Sequence, residues 1–193
     1  MKRIILGSNS PRRRELLSAL DLEFTVDTGN SFEECFDPST PHEQVPVLMA
    51  EGKSAGFHRP LGEDEILITA DTMVLLHDRG EKSPILGKPH NRKEACGMLR
   101  DLSGRTHEVI TAVTIRDCRH HKTVTDSSLV TFRELTDQEI NYYVDNYSPL
   151  DKAGAYGVQE WIGYVGITRI EGSFYNVMGL PVHQVYALLK EFI

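Results

Sequence analysis

The feature that most constrains the fold is a pair of long strand-like runs in the middle of the chain. Glu108 to Ile115 alternate apolar with polar side chains, and Val124 to Phe132 return after a polar stretch at Asp117 to His121. Alternation with a period of two is the pattern of a pleated strand. A connection this short demands an antiparallel pair. Elsewhere strand and helix signals take turns, as they do in α/β proteins. A central hairpin inside that alternation predicts a mixed sheet rather than a purely parallel one.

The remaining elements follow from local signals. Arg3 to Gly7 is a short apolar strand. Ser10 can cap a helix with Pro11 at its first position and Leu16, Leu17 and Leu20 on its apolar stripe. Thr40-Pro41-His42-Glu43 has the form of a capping box before a helix burying Val45, Leu48 and Met49. Ile66-Leu67-Ile68 is a buried strand that ends near Asp71, with Met73 to Leu76 continuing towards a turn at Asp78-Arg79-Gly80. Asn91 to Glu94 and Thr136 to Glu139 are two further capping signals. Gly163 to Ile170 predicts a strand, Gly172 to Pro181 a turn, a strand and a second turn, and Pro181 opens a last helix.

Composition narrows the function. The 193 residues are 40% hydrophobic, enough for a substantial core in one domain of one or two lobes. The net charge of −7 argues against non-specific nucleic-acid binding, which draws on excess Lys and Arg. Cys35, Cys96 and Cys118 form neither an even set nor a C-x-x-C pair, so a reducing compartment is expected. No stretch approaches the ~18 apolar residues of a membrane span, and the apolar start is too short for a signal peptide. A cytoplasmic protein is expected.

Several segments can carry chemistry. Gly7-Ser8-Asn9-Ser10-Pro11-Arg12-Arg13-Arg14 lies where a strand meets a helix, and free backbone N–H groups there attract anions. Ser8 and Ser10 add hydroxyls, Arg12 and Arg13 add guanidinium donors. Basic residues in a first helical turn oppose the helix dipole, so a merely solvated turn explains them less well. Asp71, after an apolar strand, can hold a cation or act as a base, or simply cap a turn. In Leu86-Gly87-Lys88-Pro89 the flanking residues would aim the Lys88 ammonium, although most lysines are solvated and no P-loop is present. Asp151 to Gln159 is rich in Gly and Ala, as where backbone packs closely, and Gln159 offers a donor and an acceptor to a base edge. Glu33 or Glu34 could share a cation with Asp71. Lys53 reads as an ordinary helix lysine, and His120 and His121 as an exposed pair. No G-x-S-x-G nucleophile elbow is present.

Taken in order, Ser8-Asn9-Ser10-Pro11-Arg12-Arg13, Ala70-Asp71-Thr72, Gly87-Lys88-Pro89, Leu102-Ser103-Gly104, Asp151 to Gln159 and Asn176 to Pro181 resemble the Maf family of nucleoside triphosphate pyrophosphatases across nearly the whole chain. The Asp151 to Gln159 segment is similar to the subgroup associated with dTTP and UTP. The resemblance implies one Maf-like domain over residues 1–193, with a mixed α/β, inosine triphosphatase-like fold: a long twisted sheet flanked by helices, with a cleft between two lobes. It implies that Asp71 is catalytic, and that Glu34 and Asp71 bind a divalent cation, Mg²⁺ or alternatively Mn²⁺. It also implies substrate contacts from Ser8, Arg12, Arg13, Lys53, Thr72, Lys88 and Gln159, and an assembly that is often a homodimer. Two stretches depart from the family pattern: Met49-Ala50-Glu51-Gly52-Lys53-Ser54-Ala55, where Lys is usually followed directly by Ala, and the longer approach Asn30-Ser31-Phe32.

The chemistry suits these residue types. Hydrolysis between the α and β phosphates needs an aimed water, a base or orienter for it, and positive charge against the phosphate oxygens. The expected role is to clear non-standard or surplus nucleotides, with a link to cell-division arrest. Two alternatives stand beside it: a 7-methyl-GTP pyrophosphatase, and a non-catalytic nucleotide-sensing regulator of septum formation.

Overall fold

The computed structural model describes residues 2–77 and 85–193. The turn expected at Asp78-Arg79-Gly80 lies outside the described residues. The elements form a mixed α/β arrangement. The strands follow the order β2-β1-β3-β5-β6-β7, with β4 beside β3. These are β1 (Arg3–Leu6), β2 (Phe24–Val26), β3 (Glu65–Leu75), β4 (Ile85–Leu86), β5 (Thr106–Arg116), β6 (His121–Phe132) and β7 (Ile167–Glu171). β1 is parallel to β2 and β3, whereas β3–β4 and β6–β7 are antiparallel. The hairpin is present as expected: the hydroxyls of Thr106 and Thr131 meet at 2.9 Å and those of Thr114 and Thr123 at 3.0 Å, partners that run in opposite directions. Among the described residues no helix is long and apolar enough to cross a membrane.

The chain divides into two compact units. The first comprises residues Met1–Thr72, Thr111–Asp126 and Gly179–Ile193. Its core joins Ile5 on β1 and Leu67 on β3 to Phe57 and Leu61. Three helices belong to it: α1 (Pro11–Ser18), α2 (Val45–Ala55) and, last in the chain, Val182–Leu189. α1 begins as expected, with Ser10 Oγ accepting the Arg13 N–H at 3.4 Å and Pro11 in the first turn. α2 does not begin at a Thr40 capping box. A 3-10 turn at His42–Gln44 precedes it, no side chain caps it, and Leu48 is 44% exposed. Pro46 fits α2's first turn, where a missing N–H loses no hydrogen bond, and so sets the start later than the Thr40 signal implied.

The second unit comprises Met73–Ile110 and Ser127–Met178. It contains α3 (Arg92–Leu102), α4 (Asp137–Tyr147), α5 (Trp161–Gly166) and α6 (Phe174–Met178), which makes the chain's last helix α7. Asn91 caps α3, and Thr136 with Glu139 forms a complete capping box on α4. Leu99, Leu102, Phe132, Ile140, Tyr143 and Ile162 are fully or almost fully buried here. Two expectations are corrected. Only the end of Gly163 to Ile170 is strand, because Trp161–Gly166 is α5. Gly163 lies so close to Val158 that an added Cβ would stand 1.9 Å from its carbonyl oxygen. Residues Phe174–Met178 are helical rather than strand.

Candidate active site

The β1–α1 junction is built from short contacts within the first unit. The Gly7 N–H donates to Ile68 O at 2.8 Å, and a Cβ there would press on Thr69 at 3.0 Å. Ser8 Oγ accepts from the Ser10 N–H at 3.3 Å, which folds the turn back on itself. Arg12 and Arg13 leave this turn half-buried. Arg13 turns most of its donors towards the protein. Its Nε donates to Gly179 O at 2.9 Å, Nη1 to Ala70 O at 2.9 Å and Ser8 Oγ at 3.3 Å, and Nη2 to Thr72 Oγ1 at 3.1 Å. Burial lowers its pKa, opposed by the charge of Asp71, yet a guanidinium stays charged. Four of the five guanidinium donors paired this way tie three separate segments together.

Asp71 does not sit at the end of a strand, as its polar interruption implied. It lies inside β3, whose residues from Glu65 to Leu75 are all buried except for half-buried Asp71 and Thr72. A central strand can carry a carboxylate mid-length when the charge is paired. Here Lys53 Nζ, from the last turn of α2, donates to Asp71 Oδ1 at 2.7 Å. The same ammonium stands 3.0 Å from Glu34 Oε1. Lys53 is thus no ordinary solvated helix lysine: its side chain is 20% exposed, held between two carboxylates. Thr72 Oγ1 accepts from Arg13 and meets Thr111 Oγ1 at 3.0 Å.

The two departures from the family pattern explain each other. The Phe32 ring lies where a Cβ on Gly52 would be, 2.3 Å from it. The Asn30 side chain donates to Lys53 O and accepts from the Phe32 N–H, and the Ser31 N–H donates to Gly56 O at 2.9 Å. The longer approach is therefore a strap laid on α2, possible because residue 52 has no side chain, and it delivers Glu34 to Lys53.

Lys88 and Gln159 lie in the second unit. Lys88 is exposed, between exposed Gly87 and buried Pro89. A Cβ on Gly87 would touch nothing, so the absence of a side chain there is not what holds the backbone before Lys88. Instead the Gly87 carbonyl accepts from the Gly154 N–H at 3.1 Å, which fixes the backbone. Gln159 is half-buried, and its Oε1 is enclosed with no hydrogen-bond partner. An enclosed acceptor left unpaired is costly unless something else fills it.

The donor set of Glu34 and Asp71 fits a hard divalent cation, since two carboxylates already gather around one positive charge. Mg²⁺ typically takes one or two carboxylates, completing its shell with water and phosphate oxygens. Among the described residues no group of three His, Cys, Asp or Glu could hold a metal. His120 is exposed, stacks on Phe192 with ring centroids 4.6 Å apart, and faces Asp117 at 3.2 Å. Sequence reasoning missed the parts played by Gly179, Thr111, Asn30 and Phe32. The first two act through a carbonyl and a cross-strand hydroxyl, which leave no motif.

An α/β protein with an acidic residue set mid-strand against a lysine, beside a serine- and arginine-rich strand-to-helix turn, matches one family along its length. The chain belongs to the family described as Maf-like protein, which matches residues 3–192. It is 49% identical over 98% of its length to a protein of Porphyromonas gingivalis strain W83 named dTTP/UTP pyrophosphatase, covering 94% of that protein. Proteins of the same name from Parabacteroides distasonis and Bacteroides thetaiotaomicron are 47% and 45% identical, over 98% and 97% of this chain and 96% and 95% of theirs. Among solved structures, a HAM1 protein from Coxiella burnetii aligns with TM-score 0.48 at 13% identity, covering 99% of this chain and 100% of that one.

Proposed function

We propose that this protein is a nucleoside triphosphate pyrophosphatase that hydrolyses dTTP and UTP to the nucleoside monophosphate and pyrophosphate. The observation that carries the reading is the Lys53 ammonium held between Asp71 and Glu34, 2.7 and 3.0 Å from their oxygens. The names of relatives at 45–49% identity supply the substrate class. In this reading Asp71 accepts the proton of the water that attacks the α-phosphorus. Lys53 sets the direction of that carboxylate and adds positive charge near the phosphates. The N–H groups at the start of α1, with Ser8 and Arg12, receive phosphate oxygens. Arg13 positions Thr72 and the Ala70 carbonyl instead of touching the substrate. Glu34 and Asp71 would hold a divalent cation, which supplies further positive charge against the phosphate oxygens when bound. Lys88 adds a cation to the phosphates, and Gln159 reads the base edge. The Gln159 amide carries both an acceptor and a donor, which complement the N3–H and the carbonyl oxygens of thymine or uracil.

The test is a panel of dTTP, UTP, dCTP, purine triphosphates and 7-methyl-GTP with Mg²⁺, with products separated by chromatography. Monophosphate and pyrophosphate from dTTP and UTP are expected, with activity lost in excess EDTA. Orthophosphate with a nucleoside diphosphate would overturn the reading, as would full activity in the chelator.

A further inference from the structure

Gln159 is flanked by a buried polar network that the catalytic reading does not use. Tyr143, on α4, is fully buried, and its hydroxyl donates to Glu160 Oε2. The same hydroxyl accepts the Gly157 N–H at 3.0 Å. Glu160 Oε1 lies 3.2 Å from Lys152 Nζ, on a side chain that is 9% exposed. Lys152 also donates to Asp151 at 2.8 Å. The Glu160 carboxyl group also packs against Gly157, where an added Cβ would stand 2.7 Å from its carboxyl carbon. The residues two before and one after Gln159 are therefore both fixed to a single phenol.

This is more machinery than a loop needs. Burying a lysine and a phenol beside a half-buried carboxylate is expensive, and it is tolerated when every member is paired. The arrangement leaves one neighbouring polar atom unpaired, the Gln159 Oε1. Backbone held on both sides fixes where the Gln159 side chain leaves the chain. An amide held in one orientation discriminates among bases, because a wrong base edge leaves polar groups unpaired on binding.

We infer that Tyr143 and Glu160 are positioning residues for base selection, acting by holding Gly157 to Glu160 so that Gln159 presents its amide in one orientation. The inference rests on the pyrimidine triphosphate reading. Tyr143→Phe removes the acceptor of the Gly157 N–H and the donor to Glu160 with almost no change of shape. Glu160→Gln keeps an acceptor for Tyr143 but removes the charge facing Lys152.

The experiment measures kcat and KM for dTTP, UTP, dCTP and dGTP in wild type and both variants, with melting temperatures to check folding. For Tyr143→Phe, the spread between the best and worst substrate is expected to shrink about tenfold or more, on the scale of hydrogen-bond discrimination. It should shrink mainly through a higher KM for the preferred bases. Glu160→Gln should shrink it less, because the phenol still has its partner. A residue that merely supports the fold would lower kcat/KM for every base alike. An unchanged spread in either folded variant, or a uniform loss across the panel, overturns the inference while leaving the enzymatic reading intact. Should Tyr143→Phe not fold, the Glu160→Gln spread decides alone. Wild-type protein that hydrolyses none of the triphosphates fails the enzymatic reading and this inference together.

Discussion

At the scale of single residues, Lys53 joins two carboxylates of the first unit. One ammonium answers two carboxylates, so removing either acid leaves the other paired. Asp71→Asn keeps the shape of the side chain and can still accept from Lys53, but it is neither charged nor basic. General-base action is typically worth about 10²–10⁴-fold, and a kcat loss of that order is expected at saturating divalent cation. The melting temperature should barely move, because Lys53 retains Glu34. Retention of more than about a tenth of wild-type kcat would fall below the usual general-base effect and return Asp71 to a structural role. Lys88 makes a contrasting pair with its neighbour. Its ammonium is exposed, and the backbone before it is fixed by the Gly154 N–H rather than by a missing Cβ. Lys88→Ala should lose most of kcat/KM in a folded protein, whereas Gly87→Ala should be close to wild type. Wild-type kinetics in Lys88→Ala would make Lys88 an ordinary surface lysine.

At the scale of elements, the strap from Asn30 to Phe32 and helix α2 act as one part. An alanine at residue 52 would drive its Cβ into the Phe32 ring. The ring must move, and Glu34 follows only two residues later. Gly52→Ala is therefore expected to raise the Mg²⁺ concentration giving half-maximal activity, with a loss of kcat. Adding Phe32→Ala should restore part of it by removing the clash, a coupling between neighbours that additive effects do not produce. Unaltered Mg²⁺ dependence in Gly52→Ala would show that the strap does not place Glu34. Nothing in the sequence announces this pairing, since a ring over a glycine twenty residues away is a tertiary fact. The elements that were legible are those with local causes: the Ser10 cap with Pro11, the Thr136 box, the central hairpin. The misread ones were decided elsewhere. Trp161–Gly166 has the apolar content of a strand but becomes helix because Gly163 lets it press on Val158. Asp71 looked like a strand end because its charge gave no sign of its partner on α2. The same blindness hid the Tyr143 phenol behind Gln159, although Gln159 itself stood out.

At the scale of the whole molecule, the buried titratable groups predict how stability responds to acid. His107 is fully buried in the second unit, with Nε2 2.7 Å from the Tyr156 hydroxyl and no partner on Nδ1. Burial pushes its pKa down to about 4. The folded protein thus holds His107 neutral, while an unfolded chain would protonate it near pH 6.5. Between those values the unfolded state binds more protons, so stability rises with pH. The contribution is fully present above about pH 6.5 and is lost as pH falls towards 4. A shift of this size corresponds to roughly 3 kcal/mol. A second stage follows at lower pH. The Arg59 guanidinium and the Gly62 N–H hold the Glu65 carboxyl at about 2. Arg133 and the Thr136 N–H hold Glu139 at about 2 as well. Asp117, bonded to Lys2 and to the Arg119 and His120 N–H groups, is held below the carboxylate range, against the opposing effect of its burial. Their stabilisation is present above about pH 4.5 and fades as pH falls towards 2. Urea unfolding of wild type should therefore lose stability in two steps, the first between pH 6.5 and 4.5. His107→Gln can still meet the Tyr156 hydroxyl but cannot titrate. In that variant the first step should disappear while the second remains. Parallel curves for wild type and variant between pH 6.5 and 4.5 would show that His107 is already protonated in the folded protein, and that the second unit opens enough to let water reach it.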